Sequence, residues 1–235
     1  TPHPRFVGAT GMGPRGDVIA EADWCIGEVL VTLKEEGLLE NTLIIFSCDN
    51  GPVLNDGYYD EAVEQLGNHE PAGPLRGGKY SLFEAGTRVP FMVYWKDKTP
   101  SITSDALVSQ MDLMSSLANL VGSETRGPDS ENLLSTFIGE SQEGREDLVL
   151  EATSRTAFRK GDWVLIPPYE GPAINTQVNI ELGNLADYGL YNLNEDMSQQ
   201  HNLAESQPEI LQQMIHEYEN IRGEDEQEVE QLELK

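Results

Sequence analysis

An apolar run, Thr42-Leu-Ile-Ile-Phe-Ser-Cys48, stops on Asp49, Asn50 and Gly51 and is answered downstream by Leu75-Arg-Gly-Gly-Lys79. A carboxylate and an amide oxygen side by side suit a hard cation such as calcium or magnesium better than zinc. A lysine after two glycines sets an ammonium beside backbone N–H groups that can curl around an anion. Together the two segments predict a metal-ligand pair and an anion-binding cation around one strand end. Each also has a plainer reading in isolation: Asp-Asn-Gly is a frequent turn, and Lys79 a solvated loop lysine. Calcium takes about 6 to 8 oxygens, so a pair leaves most of a coordination shell to be supplied from elsewhere.

Other candidates are weaker. His3 sits between Pro2 and Pro4, which restrict the backbone and can hold the imidazole in one direction. His69 lies in a long loop from which it could donate to a substrate; alone, both read as exposed residues. His201 and His216 read as surface or packing residues. Gly73 to Lys79 satisfies the first seven places of a P-loop, but Tyr80 replaces the hydroxyl residue that would hold magnesium, and neither strand nor helix flanks it as required. No Gly-x-Ser-x-Gly elbow and no Cys/His metal spacing occurs.

The elements that must position these residues alternate between helix and strand. Asp17 is predicted to cap a helix with apolar positions Val18, Ala22, Ile26, Val29, Leu30 and Leu33, closed by Gly37. The run 42–48 is short, continuous and β-branched, as for a strand buried on both faces of a parallel sheet. A long loop, 51–78, offers one short helical stretch around 61–66. Residues 88–95 read as a second strand with Pro90 near its start, and 104–121 as a helix ended by Gly122, with Asp112 able to cap a shorter version.

Serine, glycine and acidic residues dominate 122–144 and mark a boundary, which predicts units at 1–140 and 141–235. In the second, 147–152 reads as a strand and 156–166 as a hairpin about Lys160-Gly161-Asp162, with Phe158 and Trp163 on a shared face. Residues 188–193 add a strand. Ser206 and Glu209 have capping-box spacing before a final helix, and the tail from Glu224 is acidic and expected to fray.

With 235 residues and 38% hydrophobic content the chain can bury a core. A net charge of -26 argues against nucleic acid as a partner. No apolar stretch approaches the ~20 residues of a membrane span. Cys25 and Cys48 fall in a predicted helix and strand and read as buried free thiols.

Taken in order, Pro2-His3-Pro4, the helix with Ala22 and Asp23, the segments 37–42 and 43–51, Arg76-Gly-Gly-Lys79 and Glu84-Ala-Gly-Thr-Arg-Val-Pro90 closely resemble the formylglycine-dependent sulfatases of the alkaline phosphatase superfamily. The resemblance spans roughly 1–122, and 190–193 and 202–204 look like that family's C-terminal pattern. Departures are small: Cys48 stands where serine is common, Ala85 where glycine is, and Asn192 where aspartate is.

The resemblance implies the C-terminal part of an alkaline-phosphatase-like α/β sheet domain, followed by a smaller α+β subdomain with an antiparallel sheet and a C-terminal helix. It implies hydrolysis of sulfate esters, with sulfated carbohydrate the expected substrate class. Asp49 and Asn50 become ligands of calcium, with magnesium as the alternative, and Lys79 and His3 contacts of the sulfate and the leaving-group oxygen. Asp56, His69 and Arg76 become candidates to read a sugar. A periplasmic or secreted setting is suggested on the same ground.

The family's nucleophile, matured to formylglycine within Cys/Ser-x-Pro-x-Arg, has no match here, nor does the upstream aspartate pair of its metal site. The chain therefore reads as the C-terminal portion of a sulfatase, expected to be inactive alone and to bind calcium weakly or not at all, with the portion carrying the nucleophile as a partner. Two rival readings are a phosphodiester or phosphonate hydrolase of the same superfamily and a non-catalytic anion-binding fragment.

Overall fold

The computed structural model describes residues 1–223; the acidic tail from Glu224 lies outside the described residues. The order is α1 (Gly13–Glu35), a 3-10 turn (Leu39–Asn41), β1 (Leu43–Ser47), α2 (Glu84–Thr87), β2 (Phe91–Trp95), α3 (Asp112–Leu120) and α4 (Leu134–Phe137). Then come β3 (Asp147–Ala152), β4 (Arg155–Lys160), β5 (Trp163–Ile166), β6 (Ile174–Asn175), β7 (Ile180–Glu181), β8 (Gly189–Asn192) and α5 (Pro208–Arg222). No helix among the described residues is long and apolar enough to cross a membrane.

α1 begins four residues before the expected cap. Pro14 occupies its first turn, where a missing N–H costs nothing. Asp17 is instead buried inside the helix and reaches back. Its carboxylate accepts from the backbone N–H of Thr10 (3.0 Å) and of Gly8 (2.7 Å) and from the Thr10 hydroxyl (2.9 Å). Gly37 closes the helix as expected, at φ 67°.

Those bonds, the Thr10 amide foremost, hold the Asp17 pKa below its ordinary 3.8. A depressed carboxylate contributes stability above its unfolded value and loses it as pH falls through the folded one. Asp17→Asn is therefore expected to melt lower than the native chain at neutral pH, with the gap closing as pH drops below 3.8. Melting curves across that range check it; a gap that persists at acid pH refutes it.

β1 pairs antiparallel with β2, Leu43 opposite Trp95 through Ser47 opposite Phe91, and all five of its residues are half-buried. This corrects the expectation of a strand covered on both faces of a parallel sheet, since β2 is its only strand neighbour among the described residues. The apolar face read on α1 is likewise uncovered: Val18, Ile26 and Val29 are exposed, and only Gly16 and Asp17 of the helix are buried. Cys25 is exposed and Cys48 half-buried, so both thiols are free but neither is buried.

The short helix expected at 61–66 is a set of turns, because Glu61 takes φ 54° and only one i to i+4 bond forms, Gln65 N–H to the Glu61 carbonyl at 2.9 Å. The next helix is the shorter alternative, α3, and the chain at 102–109 before it has no regular secondary structure. Gly122 follows its end at φ 73°.

The second sheet is antiparallel in the order β3-β4-β5-β8. Lys160 opposes Trp163 across the predicted hairpin, and Gly161 supplies the positive φ of 54° that its turn needs. One face carries Phe158, Leu165 and Leu190, all 0% exposed, against Met214 of α5, with Trp163 packed beside them. The other carries Ala157, Val164 and Ile166 and receives Leu82 and Phe83 from the loop before α2. Burying each such side chain contributes about 1.5 to 3 kcal/mol. Ser206 does not cap α5: Gln207 precedes the helix, Pro208 begins it, and the Ser206 hydroxyl donates to the Leu203 carbonyl at 3.2 Å.

Candidate active site

β1 ends at Ser47, and Asp49 and Asn50 follow at the sheet's edge, Asp49 exposed and Asn50 half-buried. The Asn50 amide nitrogen donates to the Gly51 carbonyl at 3.0 Å, which leaves its oxygen without a protein donor in that bond. Two hard oxygens at this edge fit a hard cation. They do not complete a shell, and no group of three or more His, Cys, Asp or Glu able to hold a metal occurs among the described residues.

Lys79 is brought to this edge by backbone contact. Gly51 N–H donates to the Gly86 carbonyl at 3.0 Å, and Lys79 N–H to the Pro52 carbonyl at 2.9 Å. Glycine is obligatory on both sides: a Cβ on Gly51 would lie 1.6 Å from the Ala85 carbonyl oxygen, and one on Gly78 2.6 Å from that of Pro52. The Lys79 amide is thus spent on Pro52, so the residue offers its ammonium rather than the backbone cradle read from the two glycines. Tyr80 beside it adopts φ 76°, a costly conformation for a side-chain-bearing residue, and the Arg155 guanidinium holds its carbonyl at 3.1 Å.

The loop is rooted in the second sheet. Arg76 forks onto Glu181 (2.7 and 3.0 Å), donates to the Gln199 carbonyl (2.7 Å) and lies 4.0 Å over the Phe83 ring. The Arg76 guanidinium holds the Glu181 carboxyl below the usual range. Fully buried Gln199 accepts the Glu84 N–H at 2.8 Å. The Glu84 carboxylate, 3% exposed, is approached by Arg88 and Arg159, each at 3.4 Å.

Asp49, Asn50, Lys79, Glu84, Arg88 and Arg159 line one cavity of about 920 Å³. Of the predicted site residues it unites Asp49, Asn50 and Lys79. His3, exposed, lies outside it on α1: its N–H donates to Glu21 (2.8 Å), its Nδ1 accepts from the Arg5 N–H (3.3 Å), and Arg5 lies 4.1 Å over Trp24. Asp56 is paired with Arg15 at 2.8 Å, and His69 is exposed on the long loop, its N–H on the Leu66 carbonyl at 3.3 Å. Arg76 is committed to Glu181 and Gln199.

Sequence reading passed over Glu84, Arg88 and Arg159 as site residues. The first two stand inside a quoted motif and could have been found there; Arg159 meets Glu84 across 75 residues and carries no local signal.

Residues 10–123 match the family model described as Sulfatase. Over 225 residues the chain is 44% identical to an N-acetylgalactosamine-6-O-sulfatase of Bacteroides thetaiotaomicron, covering 94% of this chain and 44% of that protein. The human N-acetylgalactosamine-6-sulfatase is 35% identical over 137 residues, 57% of this chain and 25% of its own length. A solved Bacteroides thetaiotaomicron structure, described in connection with the metabolism of multiple glycosaminoglycans, superposes with a TM-score of 0.91 at 44% identity over 94% of this chain and 47% of its own. The chain thus spans about half the length of these Bacteroides relatives and less of the human one.

Proposed function

Because the chain belongs to the sulfatase family, with its alkaline-phosphatase-like α/β fold, we propose that Asp49, Asn50 and Lys79 form one wall of a metal-dependent site that hydrolyses sulfuric esters of carbohydrate. One observation carries the reading: two hard oxygen ligands and a cation without a carboxylate partner among the described residues line the same cavity, fixed by the Gly51–Gly86 and Lys79–Pro52 backbone bonds. The carbohydrate class is taken from the Bacteroides relative's name, and the assembled site needs the polypeptide that fills the other half of its length.

Sulfatases generally use a metal ion and a formylglycine nucleophile; here Asp49 and Asn50 would hold the metal, calcium by their oxygen chemistry and magnesium otherwise, whose charge would neutralise sulfate oxygens. Lys79 binds the sulfate and steadies charge growing on oxygen as the ester bond breaks, the more strongly because its loop is preorganised. The family resemblance would have His3 give a proton to the leaving oxygen, although in this chain it lies outside the cavity; the Arg5 N–H on Nδ1 favours the tautomer with its proton on Nε2, free to donate. Arg76 anchors the loop that carries Lys79, and His69 on the long loop is left to meet the sugar.

The test is a matched panel of 4-nitrophenyl esters given to this chain joined to the portion of the Bacteroides thetaiotaomicron relative that it does not span. Turnover of the sulfate ester well above the phosphate monoester, phosphodiester and phosphonate is the expected result. Preference for a phosphodiester or a phosphonate overturns the proposal.

A further inference from the structure

The long loop between Pro52 and Lys79 contains a second, separate construction. Arg15, in the first turn of α1, donates to both ends of one short segment: Nη2 to Asp56 at 2.8 Å, Nε and Nη2 to Asp60 at 2.9 and 2.7 Å. A third contact, Nη1 to the Val53 carbonyl at 2.9 Å, fixes the base. Asp56 is held below the usual carboxylate range by this guanidinium. Between the two feet stand Tyr58 and Tyr59, 76% and 106% exposed. The segment is therefore held by these ion pairs, and its two rings are left facing solvent.

A cavity of about 520 Å³ opens beside the rings, lined by Asn55, Tyr58, Tyr59, Glu61 and Glu64 among others. Paired exposed aromatics on a fixed loop, with an amide and carboxylates around them, match the make-up of ligand sites: apolar faces for contact, a few polar groups for orientation. The rim selects the ligand. Arg15 shares its single positive charge between Asp56 and Asp60, and Glu61 and Glu64 lack cationic partners among the described residues, so a sulfate or carboxylate would be repelled. Hydroxyl and amide groups of an uncharged sugar can donate to the same carboxylates, while its C–H faces lie on the rings.

We propose that Tyr58 and Tyr59 form a subsite for an uncharged hexose or N-acetylhexosamine unit elsewhere on the glycan chain that carries the sulfated sugar. The inference rests on the sulfated-carbohydrate reading above for what occupies the neighbouring cavity. The two sites share one stretch of backbone: Lys79 holds Pro52, Arg15 holds Val53, and the six residues from Pro52 to Tyr58 span at most about 22 Å between Cα atoms. The platform reads the chain of the glycan and Lys79 reads its sulfate.

Purified chain is titrated with chitotetraose, an uncharged N-acetylhexosamine tetramer, and with the same tetramer carrying 6-O-sulfate, by saturation-transfer NMR and calorimetry. Transfer between tyrosine rings and the uncharged tetramer is expected. Its affinity should fall at least about tenfold in Tyr58→Ala/Tyr59→Ala and hold in Tyr58→Phe/Tyr59→Phe and in Lys79→Ala. The sulfated tetramer should lose affinity in both alanine variants. No transfer to the rings, or equal affinity in the tyrosine-to-alanine variant, overturns the platform. Dependence of the uncharged tetramer on the tyrosines, without any effect of Lys79→Ala on the sulfated one, upholds the platform and removes the sulfate reading instead.

Discussion

Asp112→Ala lowers the stability of the chain by about 3 to 5 kcal/mol, the cost of stranding a buried charge. Asp112 is fully buried at the start of α3, and its carboxylate accepts the N–H groups of Ser109 and Glu131, each at 2.9 Å, and pairs with Arg145. Arg145 has a side chain only 9% exposed and also donates to the carbonyls of Asp129 (3.1 Å) and Asp147 (3.2 Å). One ion pair thus ties α3, the acidic segment after it and the first residue of β3. Removing the carboxylate leaves the guanidinium with only the exposed Glu131 carboxylate, at 3.4 Å, and two N–H groups without acceptors.

Asp112→Asn keeps an acceptor oxygen but not the charge, and should fall between the alanine variant and the native chain. Urea unfolding checks this through a shifted midpoint at constant slope. A loss under about 1 kcal/mol would class the pair with exposed ion pairs and contradict its assigned role.

How far the molecule could be read from its residues follows the range of the interactions involved. Gly161 between Lys160 and Asp162 marks a tight turn, and the hairpin is there, with Phe158 and Trp163 on one face. Asp49, Asn50 and Lys79 were legible because a strand end and a glycine pair are local signals, and they share a cavity.

Signals with two local solutions misled. Asp17 has the chemistry of a cap, but Pro14 starts the helix first and the carboxylate serves the preceding loop instead. Ser206 has capping-box spacing, but Pro208 sets the start and Ser206 turns to Leu203. A continuous apolar strand predicts covered faces without saying what covers them, and β1 is half-buried beside β2. Arg76 reads as a cation ready for substrate; its partner Glu181 is 105 residues away, and no local pattern announces a contact of that span.

The central claim is that Asp49, Asn50 and Lys79 are one working wall of a sulfatase site. The second large effect follows from it. With Lys79 removed, the sulfate loses a preorganised cation in a partly enclosed cavity, and loss of one such group costs on the order of 10² to 10³ in turnover. Lys79→Arg keeps the charge on a wider, planar head and should recover only part of it. Because the loop is fixed through Gly51, Gly78, Arg76 and Gln199 rather than through the lysine side chain, Lys79→Ala should fold and melt as the native chain does.

The deciding measurement is turnover of 4-nitrophenyl sulfate by this chain alone, by the chain joined to the portion of the Bacteroides thetaiotaomicron relative that it does not span, and by the joined protein with Lys79→Ala or Asp49→Ala. The account predicts no turnover by the chain alone, turnover when joined, and a loss of at least about a hundredfold in each variant, with Lys79→Ala melting as the native protein does. Turnover by the chain alone, or a joined Lys79→Ala protein as active as the native one, would contradict it.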